Sequence, residues 1–486
     1  MFIGLDIGTS SLKAVLMTEE GATLTSIAEK LAVMRPHPGW SEQDPHSWWQ
    51  AVDNAMCALS QSHPCEMSSV TAIGLSGQMH GLVALDDAHQ VIRPAMLWND
   101  TRNAAEAAEL DDTVPAFRSL GGNAVMPGFT APKALWLARH EPDKFEQIKH
   151  ILLPKDYVRL CLSGDCASDM SDASGTLWMD VKARRWSEPL LAACGLTEAH
   201  MPRLYEGTEV TGQLRDELVH KWGMTGPVFI AAGGGDNASA AVGLGVVKPG
   251  DGFVSLGTSG VVFTVTDDFA PAAAQGAHAF CHALPHRWHQ MGVILAASDC
   301  VSWLSDITGQ TAAELASLAT AKENPITDLY FHPYLSGERT PHNDAGARGG
   351  FIGLRRGHDA GDMMLAVMQG VAFAMVDALE VLTKAGASPD QLIATGGGAN
   401  NHDWLRLIAS LSDYPLAVPE QSDQGAALGA ARLAALSTGR RLDDICQPPS
   451  IQAIIQPDEA THATLLQMHD KSRQLFQAIR PLYGPQ

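Results

Sequence analysis

One short segment near the N-terminus of this chain has a counterpart about half a chain length further on. Asp6-Ile7-Gly8-Thr9-Ser10 matches Ser255-Leu256-Gly257-Thr258-Ser259, and each copy lies between two runs rich in Ile, Val, Leu and Phe. A strand, a tight turn and a second strand bring backbone N–H groups and hydroxyls to one point, which suits the oxygens of a polyphosphate. Two matched copies therefore predict a duplicated phosphate-binding hairpin that opens each of two similar domains.

The residue types of the two turns fit this chemistry. Glycine has no Cβ, so the backbone can approach an anion closely there. A single Gly-Thr-Ser turn is more often an ordinary hairpin turn whose hydroxyls bond locally, and it is the repeat that favours a binding site. The predicted phosphate contacts are Gly8, Thr9 and Ser10 in the first turn and Gly257, Thr258 and Ser259 in the second.

Length and charge limit the classes of protein to consider. A chain of 486 residues is too long for one core and suits two domains, for which we predict residues 1–245 and 246–486 with the junction in segment 245–252. The formal charge of −21 argues against nucleic acid or an anionic membrane as a general partner, because no basic excess exists to neutralise phosphates. A small anionic ligand can still bind through backbone amides and a metal ion.

Several segments predict structure rather than chemistry. The eight cysteines show no repeated spacing, so we expect free thiols in a reducing cytoplasm, and no leader for export follows Met1. The apolar segment Met363–Leu379 is too short to span a bilayer and predicts a buried helix. The His and Cys residues between positions 278 and 289 lack the paired spacing of a zinc site, and we expect a strand pair there.

Three apolar runs that predict buried strands are each followed by a polar loop that contains glycine. The loops are Ser76–Gly81, Gly233–Asn237 and Gly396–Asn401. Open α/β sheets bind ligands just beyond the ends of their strands. We therefore predict an α/β fold of two domains with mixed sheets around a central cleft, and a ligand site built from these loops.

In these motifs the chain resembles the FGGY family of carbohydrate kinases, within the superfamily of actin, Hsp70 and sugar kinases with ribonuclease H-like domains. The resemblance covers essentially the whole chain. Besides the turns and loops above, the matching motifs are Trp40–Pro45, Trp98–Asp100, Pro127–Lys133, Leu153–Tyr157, Ser168–Ala173 and Tyr334–Pro341. It implies ATP-dependent phosphorylation of a sugar, with Mg²⁺ as cofactor and a cleft that closes.

Phosphoryl transfer needs positioning, charge neutralisation and an acceptor for the hydroxyl proton. Asp236 is the predicted general base, because a carboxylate in a Gly-rich strand-to-helix turn can reach a substrate hydroxyl. The alternative from the residues alone is a helix N-cap. Asp6 is the predicted catalytic ligand of magnesium, since a carboxylate that faces a triphosphate needs a cation between them, and the second copy has Ser255 in its place.

The sugar is predicted to bind mainly to the first domain. Met79 and His80 follow a strand end, where an imidazole can bond to a hydroxyl and a thioether can pack on a carbon edge. Glycerol kinases hold an Arg-Glu pair at a similar location, so the chain departs from that branch. The other predicted sugar contacts are Asp236, Asn237, Asn99 and Asp100.

The resemblance also implies a site for the adenosine of ATP, where glycines let the flat base lie on the backbone. Its predicted residues are Gly396, Gly397, Gly398 and Asn401. Two cations, Lys133 and Arg339, are candidates for phosphate support, with a solvated or salt-bridged role as the alternative.

The reaction implied by the resemblance is ATP + D-xylulose → ADP + D-xylulose 5-phosphate. One alternative is an FGGY kinase for another ketose or polyol, such as ribulose or gluconate, which would differ in the pocket around Met79 and His80. The other is an ATP-driven binding module of the actin and Hsp70 type, which predicts an appended partner domain that the sequence does not display. The oligomeric state is open, with a homodimer as one option.

Overall fold

The computed structural model describes residues 1–420 and 425–483 of the chain. Within them lie two large mixed sheets of seven strands each, besides several two-stranded ribbons. The strands of the first sheet are β1 (Phe2–Ile7), β2 (Ser11–Met17), β3 (Thr23–Lys30), β4 (Ala72–Gly77), β5 (Val210–Gln213), β6 (Phe229–Ala231) and β7 (Gly234–Gly235). Those of the second sheet are β8 (Asp251–Leu256), β9 (Gly260–Thr266), β10 (His278–Cys281), β11 (Trp288–Ile294), β12 (Gln391–Thr395), β13 (Leu416–Pro419) and β14 (Ile451–Ile455).

The two sheets repeat one strand topology. In the first sheet β1 pairs antiparallel with β2 and parallel with β4, β4 pairs parallel with β6, and β5 closes that edge antiparallel. In the second sheet β8 pairs antiparallel with β9 and parallel with β12, β12 pairs parallel with β13, and β14 closes the edge antiparallel. The predicted fold of two similar α/β domains is confirmed, with a phosphate-type turn between the first two strands of each.

Helices cover the faces of both sheets. The longer helices, with one short helix that contacts the site, are α1 (Pro45–Ser62), α2 (Ala104–Thr113), α3 (Thr130–His140), α4 (Pro154–Ser163), α5 (Met170–Ser174), α6 (Asp236–Gly243), α7 (Ser298–Thr308), α8 (Ala312–Thr320), α9 (Ala360–Lys384), α10 (His402–Ser412), α11 (Gly425–Ser437) and α12 (Glu459–Ile479). Strand β1 reads FIGLDI and is buried at almost every position, because α1 and α11 leave neither face of its sheet to water.

Helix α9 is the buried helix that the apolar run Met363–Leu379 predicts. It begins with a capping box in which the Asp359 side chain accepts from the backbone N–H groups of Gly361 and Asp362, at 2.9 and 3.1 Å. By length and composition it could cross a membrane, but 89% of its most apolar window is buried inside the protein. It therefore acts as the central core helix of the second domain, packed on β9, β11 and α10.

Helix α11 packs on the first sheet although it comes from the second half of the sequence. Gly4 in β1 and Gly74 in β4 lie beneath it, and a Cβ on either glycine would overlap the helix backbone at Ala427 or Ala430. Glycine at these two strand positions therefore lets the helix lie directly on the sheet. The predicted division at 245/246 separates the strands of the two sheets, but this helix crosses it.

The same helix holds α6, which carries the predicted base at its first residue. A Cβ on Gly243 would overlap the carbonyl oxygen of Gly425, and one on Gly429 would overlap that of Ser239. The two helix backbones are therefore in direct contact. The start of α6 is thus fixed against both the first sheet and a helix from the other half of the chain.

The histidine-rich segment forms the predicted strand pair, β10 and β11. His282 and His289 are buried, and burial lowers the pKa of both imidazoles, to about 3 for His282. Both imidazoles are therefore neutral at physiological pH. Both rings are part of the packed core, where His289 stacks on Phe263 with 4.5 Å between ring centroids.

Candidate active site

Strand register brings the two predicted catalytic carboxylates to one edge of the first sheet. Asp6 in β1 lies opposite Ser76 in β4, and Ser76 lies opposite Gly234 in β7. Neighbouring strands are about 4.8 Å apart, so Gly234 lies roughly 10 Å across the sheet from Asp6, and Asp236 follows two residues later. The two carboxyls are close enough for the charge of Asp6 to act on Asp236. The distant sequence positions 6 and 236 therefore belong to one site.

Asp236 is the first residue of α6 and not its cap. The N-cap position belongs to Gly235, and the helix begins at Asp236. One carboxylate oxygen of Asp236 accepts from the backbone N–H and the amide of Asn237, at 2.6 and 2.9 Å. These are the hydrogen bonds of the Asp236 carboxylate within the described residues, and the capping interpretation does not describe this residue because Gly235 is the N-cap.

The electrostatic setting of Asp236 suits a base. Burial, and then the nearby Asp6 carboxylate, raise its pKa from 3.8 to about 6. A carboxylate with this pKa is largely ionised at neutral pH, yet it accepts a proton more readily than a solvated aspartate does. Asn237 keeps its carbonyl oxygen available next to this base, and its sugar contact stays a prediction.

Asp6 is held at the end of β1. Its Oδ1 accepts from the Ser76 hydroxyl at 3.0 Å. Burial raises its pKa, while the Ser76 hydrogen bond and the charge of Lys13 act in the opposite direction. Two ionised carboxylates, Asp6 and Asp236, repel each other when both are buried. A cation that binds near Asp6 and to a substrate phosphate would reduce this repulsion.

The first turn is held from the side by residues that sequence reasoning did not assign to it. The Thr9 hydroxyl donates to Gln78 Oε1 at 2.9 Å and accepts from the Trp98 indole N–H at 3.0 Å. The amide of Gln43 donates to the Thr9 carbonyl at 2.7 Å. Ser10 remains exposed. The side chains of Gln43, Gln78 and Trp98 thus fix the turn, and backbone bonds from Gly8 to Ser11 and from Leu31 to Ser10 close it.

The second turn is anchored through its carbonyl groups. The carbonyl oxygens of Gly257 and Thr258 accept from the backbone N–H groups of Ser298 and Ala297, at 2.9 and 2.8 Å. Thr258 is exposed, and Ser259 is partly exposed. The backbone bonds tie the turn to the start of α7 and leave the hydroxyls at the surface, where a phosphate could bind them.

His80 adopts a left-handed backbone conformation, with φ of 66°. Its Nδ1 lies 2.7 Å from the Gly175 carbonyl oxygen, so Nδ1 carries the hydrogen and Nε2 is an acceptor. Burial lowers the pKa of this imidazole to about 3. A neutral imidazole with a free acceptor nitrogen suits a hydrogen bond from a sugar hydroxyl.

Lys133 supports His80 and not a phosphate. Its ammonium is fully buried and donates to the carbonyl oxygens of His80 and Gly128, at 2.7 and 2.8 Å. Burial lowers its pKa to about 7. The solvated alternative for Lys133 is wrong, because its side chain has no exposed surface. Its bond to the His80 carbonyl oxygen helps to hold the left-handed backbone of His80.

Met79 connects the sugar pocket to the base. A Cβ on Gly235 would lie 2.9 Å from the Met79 sulfur, and one on Gly175 would lie 2.8 Å from its terminal methyl. The side chain therefore fills the space between the two glycine-containing turns. Glycine at 175 and 235 makes that close packing possible.

Aromatic side chains from both domains surround His80. Phe129 meets its ring edge-on at 4.5 Å between centroids, and Phe280 of β10 lies at 6.2 Å. Arg339 reaches the same cluster from the second domain, with one guanidinium nitrogen 3.1 Å from His278 Nε2. The sequence motif Pro127–Lys133 contained Phe129, but nothing in its spacing indicated contact with Phe280.

The structure separates the two neighbouring candidates Asn99 and Asp100. Asp100 has no exposed surface, and its carboxylate accepts from the Ser41 backbone and from Arg102, at 2.7 and 2.6 Å. The prediction that Asp100 contacts the sugar is therefore corrected, since its oxygens already serve a buried ion pair. Asn99 is partly exposed, and within the described residues its buried Oδ1 has no hydrogen-bond partner.

A cavity of about 1000 Å³ lies in the second domain beside the loop that follows β12. Gly397, Gly398 and Asn401 line one side of it, as predicted for an adenosine site. The opposite side consists of small residues from α7 and α8, among them Ala312 and Ala316, which the sequence did not indicate. An apolar slot of this size can hold a flat base with its ribose.

The glycines of this loop have different roles. Gly396 has φ of +84°, and a Cβ there would lie 2.7 Å from the backbone of Leu256. A Cβ on Gly397 would meet nothing within 4 Å, so that face is open to the cavity. The Asn401 side chain accepts from the Trp404 backbone N–H at 3.1 Å and caps α10. Asn401 therefore has a structural role as the N-cap of α10, and its contact with the nucleotide stays a prediction.

Comparison with known families agrees with this geometry. Residues 1–243 match the N-terminal domain of the FGGY family of carbohydrate kinases, and residues 252–438 match its C-terminal domain. The chain belongs to the FGGY family of carbohydrate kinases. This FGGY chain is thus an ATP-dependent sugar kinase by family, as its motifs imply, and the predicted division at 245/246 falls between the two matched segments.

Individual relatives extend the comparison. A xylulose kinase from Escherichia coli is 45% identical over 485 residues, covering 99% of this chain and 100% of the relative. The crystal structure of a xyloylose kinase from Brucella ovis has a TM-score of 0.95 and 50% identity, covering 99% of both chains. A gluconate kinase from Lactobacillus acidophilus has a TM-score of 0.92 at 25% identity, covering 99% of this chain and 98% of that one.

Proposed function

We propose that this protein transfers the γ-phosphoryl group of MgATP to the 5-hydroxyl of D-xylulose and releases D-xylulose 5-phosphate and ADP. The observation that carries the proposal is the juxtaposition of Asp236, Asp6 and the Met79-His80 pocket at one end of the first sheet. Two relatives described as a xylulose kinase and a xyloylose kinase, 45% and 50% identical to this chain, support the choice of sugar.

Asp236 acts as the base in this proposal. Its free carboxylate oxygen takes the proton of the 5-hydroxyl while the hydroxyl oxygen forms a bond to the γ-phosphorus and the bond to the bridging oxygen of ADP breaks. Asn237 holds the carboxylate by two donors, at 2.6 and 2.9 Å. The orientation of the base is therefore set before the sugar binds.

The pocket selects the sugar by hydrogen bonding and by shape. His80 Nε2 accepts from one sugar hydroxyl, and Met79 with Phe129 packs on the carbon edge. Asn99 Oδ1, which has no partner among the described residues, offers a further acceptor. Arg339 of the second domain lies against this cluster, so domain closure would complete the pocket and exclude water.

The residues at Asp6 fit a magnesium ion. Magnesium prefers carboxylate oxygen and keeps several waters and phosphate oxygens, so it does not need a cage of protein ligands. Among the described residues there is no group of three or more His, Cys, Asp or Glu side chains that could form such a cage. Asp6 would hold the ion, directly or through water, and the bound ion would neutralise charge on the phosphates.

The nucleotide would extend from the turns to the cavity in the second domain. The turns at residues 8–10 and 257–259 offer backbone N–H groups and hydroxyls to the phosphates. Gly397 and Gly398 line the slot for the base, with the small residues of α8 opposite. This arrangement aims the γ-phosphate at the first domain, where Asp236 lies.

The test is ADP release from MgATP by the purified protein with D-xylulose, D-ribulose, L-ribulose, glycerol, D-gluconate or no sugar. The proposal predicts strong stimulation by D-xylulose alone. Stimulation by another sugar in its place would keep the chemistry and move the substrate. ADP release that ignores every sugar would overturn the proposal in favour of an ATP-driven binding module.

A second candidate is a kinase for another ketose or for gluconate. The comparisons do not favour it: the gluconate kinase structure has a TM-score of 0.92 but 25% identity, which shows that related chains with this fold act on another acceptor, whereas the xylulose kinase from Escherichia coli is 45% identical. The same panel of sugars distinguishes the two candidates.

Cytoplasmic location and self-association are also proposals. All eight cysteines are free thiols, which suits a reducing compartment. The acidic charge of −21 suits small-molecule substrates and disfavours nucleic acid or a membrane surface as partner. The predicted homodimer would appear as a doubled mass in light scattering of the purified protein.

A further inference from the structure

The short helix α5 (Met170–Ser174) contacts three separate parts of the site. The Ser171 hydroxyl accepts from the backbone N–H of Gly235 at 3.0 Å, directly before the proposed base. The carbonyl of Gly175, at the end of the helix, accepts from His80 at 2.7 Å. The Ser174 hydroxyl accepts from the backbone N–H of Cys281 in the second sheet at 3.1 Å. One turn of helix therefore connects the base, the sugar pocket and the second domain.

The bond from Gly235 to Ser171 is fixed in direction by a second bond. Ser171 donates its only hydroxyl hydrogen to Asp169 Oδ2 at 2.5 Å, and its backbone N–H bonds to the same oxygen at 2.7 Å. A hydroxyl whose hydrogen is committed in this way presents a lone pair to the Gly235 N–H. The turn that carries Asp236 is thus attached to a side chain with one allowed orientation.

Asp169 is itself held by a fully buried lysine. Lys155 Nζ lies 2.8 Å from Asp169 Oδ1, 2.5 Å from Asp156 and 3.3 Å from Asp172, and none of these side chains is exposed. Burial raises the pKa of Asp172 well above its usual range, while the charge of Lys155 acts in the opposite direction. Among the described residues Asp169 Oδ1 has no hydrogen-bond partner, so its ion pair with Lys155 is the contact that sets the position of this oxygen.

This cluster does not touch the pocket itself. The ammonium of Lys155 is consumed by its three carboxyl neighbours, and the side chains of Asp169 and Ser171 have no exposed surface. Removing a buried ion pair and filling the space with apolar residues often costs no stability. Fold stability alone therefore does not require a charge cluster at this location.

We propose that Lys155, Asp169 and Ser171 form a positioning relay that fixes the Gly235-Asp236 turn for proton abstraction. The inference rests on the proposed role of Asp236 as base. In the relay Lys155 fixes Asp169, Asp169 fixes the Ser171 hydroxyl, and that hydroxyl fixes the Gly235 N–H. The end of the same helix orients His80, so the base and the sugar contact share one support.

The test compares Ser171→Ala with Ser174→Ala in the full-length protein. Both serines are buried in α5, and each hydroxyl accepts one backbone N–H from a neighbouring segment, Gly235 for Ser171 and Cys281 for Ser174. The two changes therefore remove the same chemical group at a matched structural cost. Only the first frees the turn that bears the base.

We expect Ser171→Ala to lower kcat with D-xylulose about 10- to 100-fold, because a misplacement of about 1 Å in a catalytic group can cost 100-fold. KM for ATP and for D-xylulose should stay within about threefold, since the phosphate turns and His80 are untouched. Ser174→Ala should keep kcat within about threefold of wild type. Its Tm should fall by about as many degrees as the Tm of Ser171→Ala.

The outcomes are distinguishable from failure of the proposed function. If wild type shows no D-xylulose-dependent turnover, the proposed function fails and the relay with it. If wild type turns over and both variants lose kcat equally, or neither does, Ser171 has only a structural role and the inference is overturned. A fall in kcat of Ser171→Ala that merely follows its loss of Tm, as for Ser174→Ala, would overturn the inference in the same way.

Discussion

The two halves of the molecule share a topology but differ at one equivalent position. In the first sheet Asp6 pairs with Ser76, and in the second sheet Ser255 pairs with Thr395. Both turns are proposed to bind phosphate, but a carboxylate, Asp6, precedes the first turn whereas Ser255 stands at the matching position of the second. In the first domain Asp236 follows β7 at the start of α6, whereas in the second domain the loop after β12 contains glycines and lines a cavity. The predicted phosphate-binding turn therefore occurs in both domains, whereas the carboxylates Asp6 and Asp236 both lie in the first domain.

The largest expected effect comes from removing the proposed base. Asp236→Ala should lower kcat about 1000-fold, in the range of positioned general bases. Asp236→Asn, which keeps the shape of the side chain, should lose a similar factor. ATP should still raise the Tm of both variants, because the nucleotide contacts lie elsewhere. Turnover within tenfold of wild type would remove Asp236 from the chemistry.

Replacing Asp6 by the serine found at the matching position 255 tests whether the difference between the two halves matters for catalysis. Asp6→Ser should lower turnover about 100-fold, the scale of losing one electrostatic group from a transition state, and should raise the Mg²⁺ concentration needed for half-maximal rate. Ser255→Ala is the matched change in the other half and should stay within about threefold. Equal losses in the two variants would show that the asymmetry has no catalytic meaning.

The sugar pocket should respond separately from the nucleotide half. His80→Ala should raise KM for D-xylulose about tenfold, the value of one lost hydrogen bond of about 1.4 kcal/mol, and leave KM for ATP unchanged. Gly397→Val should act in reverse, because a larger side chain would fill the slot for the base. A variant that changed both KM values alike would argue against the division between the halves.

The pH profile gives a smaller but sharper test. Asp236 must be ionised to act, and its pKa is raised to about 6, so log(kcat/KM) should fall below about pH 6. Asp6 contributes to that rise, and Asp6→Ser should therefore move the midpoint of its residual activity to lower pH. An unchanged midpoint would mean that the two carboxylates do not interact.

The raised pKa of Asp236 should also make the stability of the folded protein decrease as the pH rises. The folded pKa of about 6 exceeds the ordinary value of 3.8, so the folded state binds this proton more tightly than the unfolded chain. The resulting stability is fully present below about pH 4 and is lost as pH rises through 6. Asp236→Asn is expected to have a higher Tm than wild type at pH 7.5, and a lower Tm would contradict the buried, raised carboxyl.

Much of the architecture could be predicted from the sequence, because its signals are local. The repeated turn flanked by apolar runs predicted two similar domains, and the loops at residues 233–237 and 396–401 predicted the strand ends where the site lies. The N-cap alternative for Asp236 was wrong by one position, because aspartate is common at helix N-caps and the actual cap is Gly235. Only the pairing of β7 with β4 fixes its actual position.

What escaped prediction depends on contacts between distant segments. Lys133 looked like a surface or phosphate-binding cation until its buried bonds to His80 and Gly128 were visible. Asp100 looked like a sugar ligand because the local sequence does not reveal that its carboxylate is buried and accepts from the backbone N–H of Ser41. Residues of α8 that line the nucleotide cavity are small and apolar, and such residues carry no chemical signature.

The most direct test of the division between the halves is a crystal structure with D-xylulose and a non-hydrolysable ATP analogue bound together. The account predicts the 5-hydroxyl of the sugar within about 2.6–3.2 Å of an Asp236 oxygen, the base in the cavity beside Gly397, and the γ-phosphate between them. A sugar bound with its 5-hydroxyl away from Asp236, or a nucleotide outside that cavity, would contradict it.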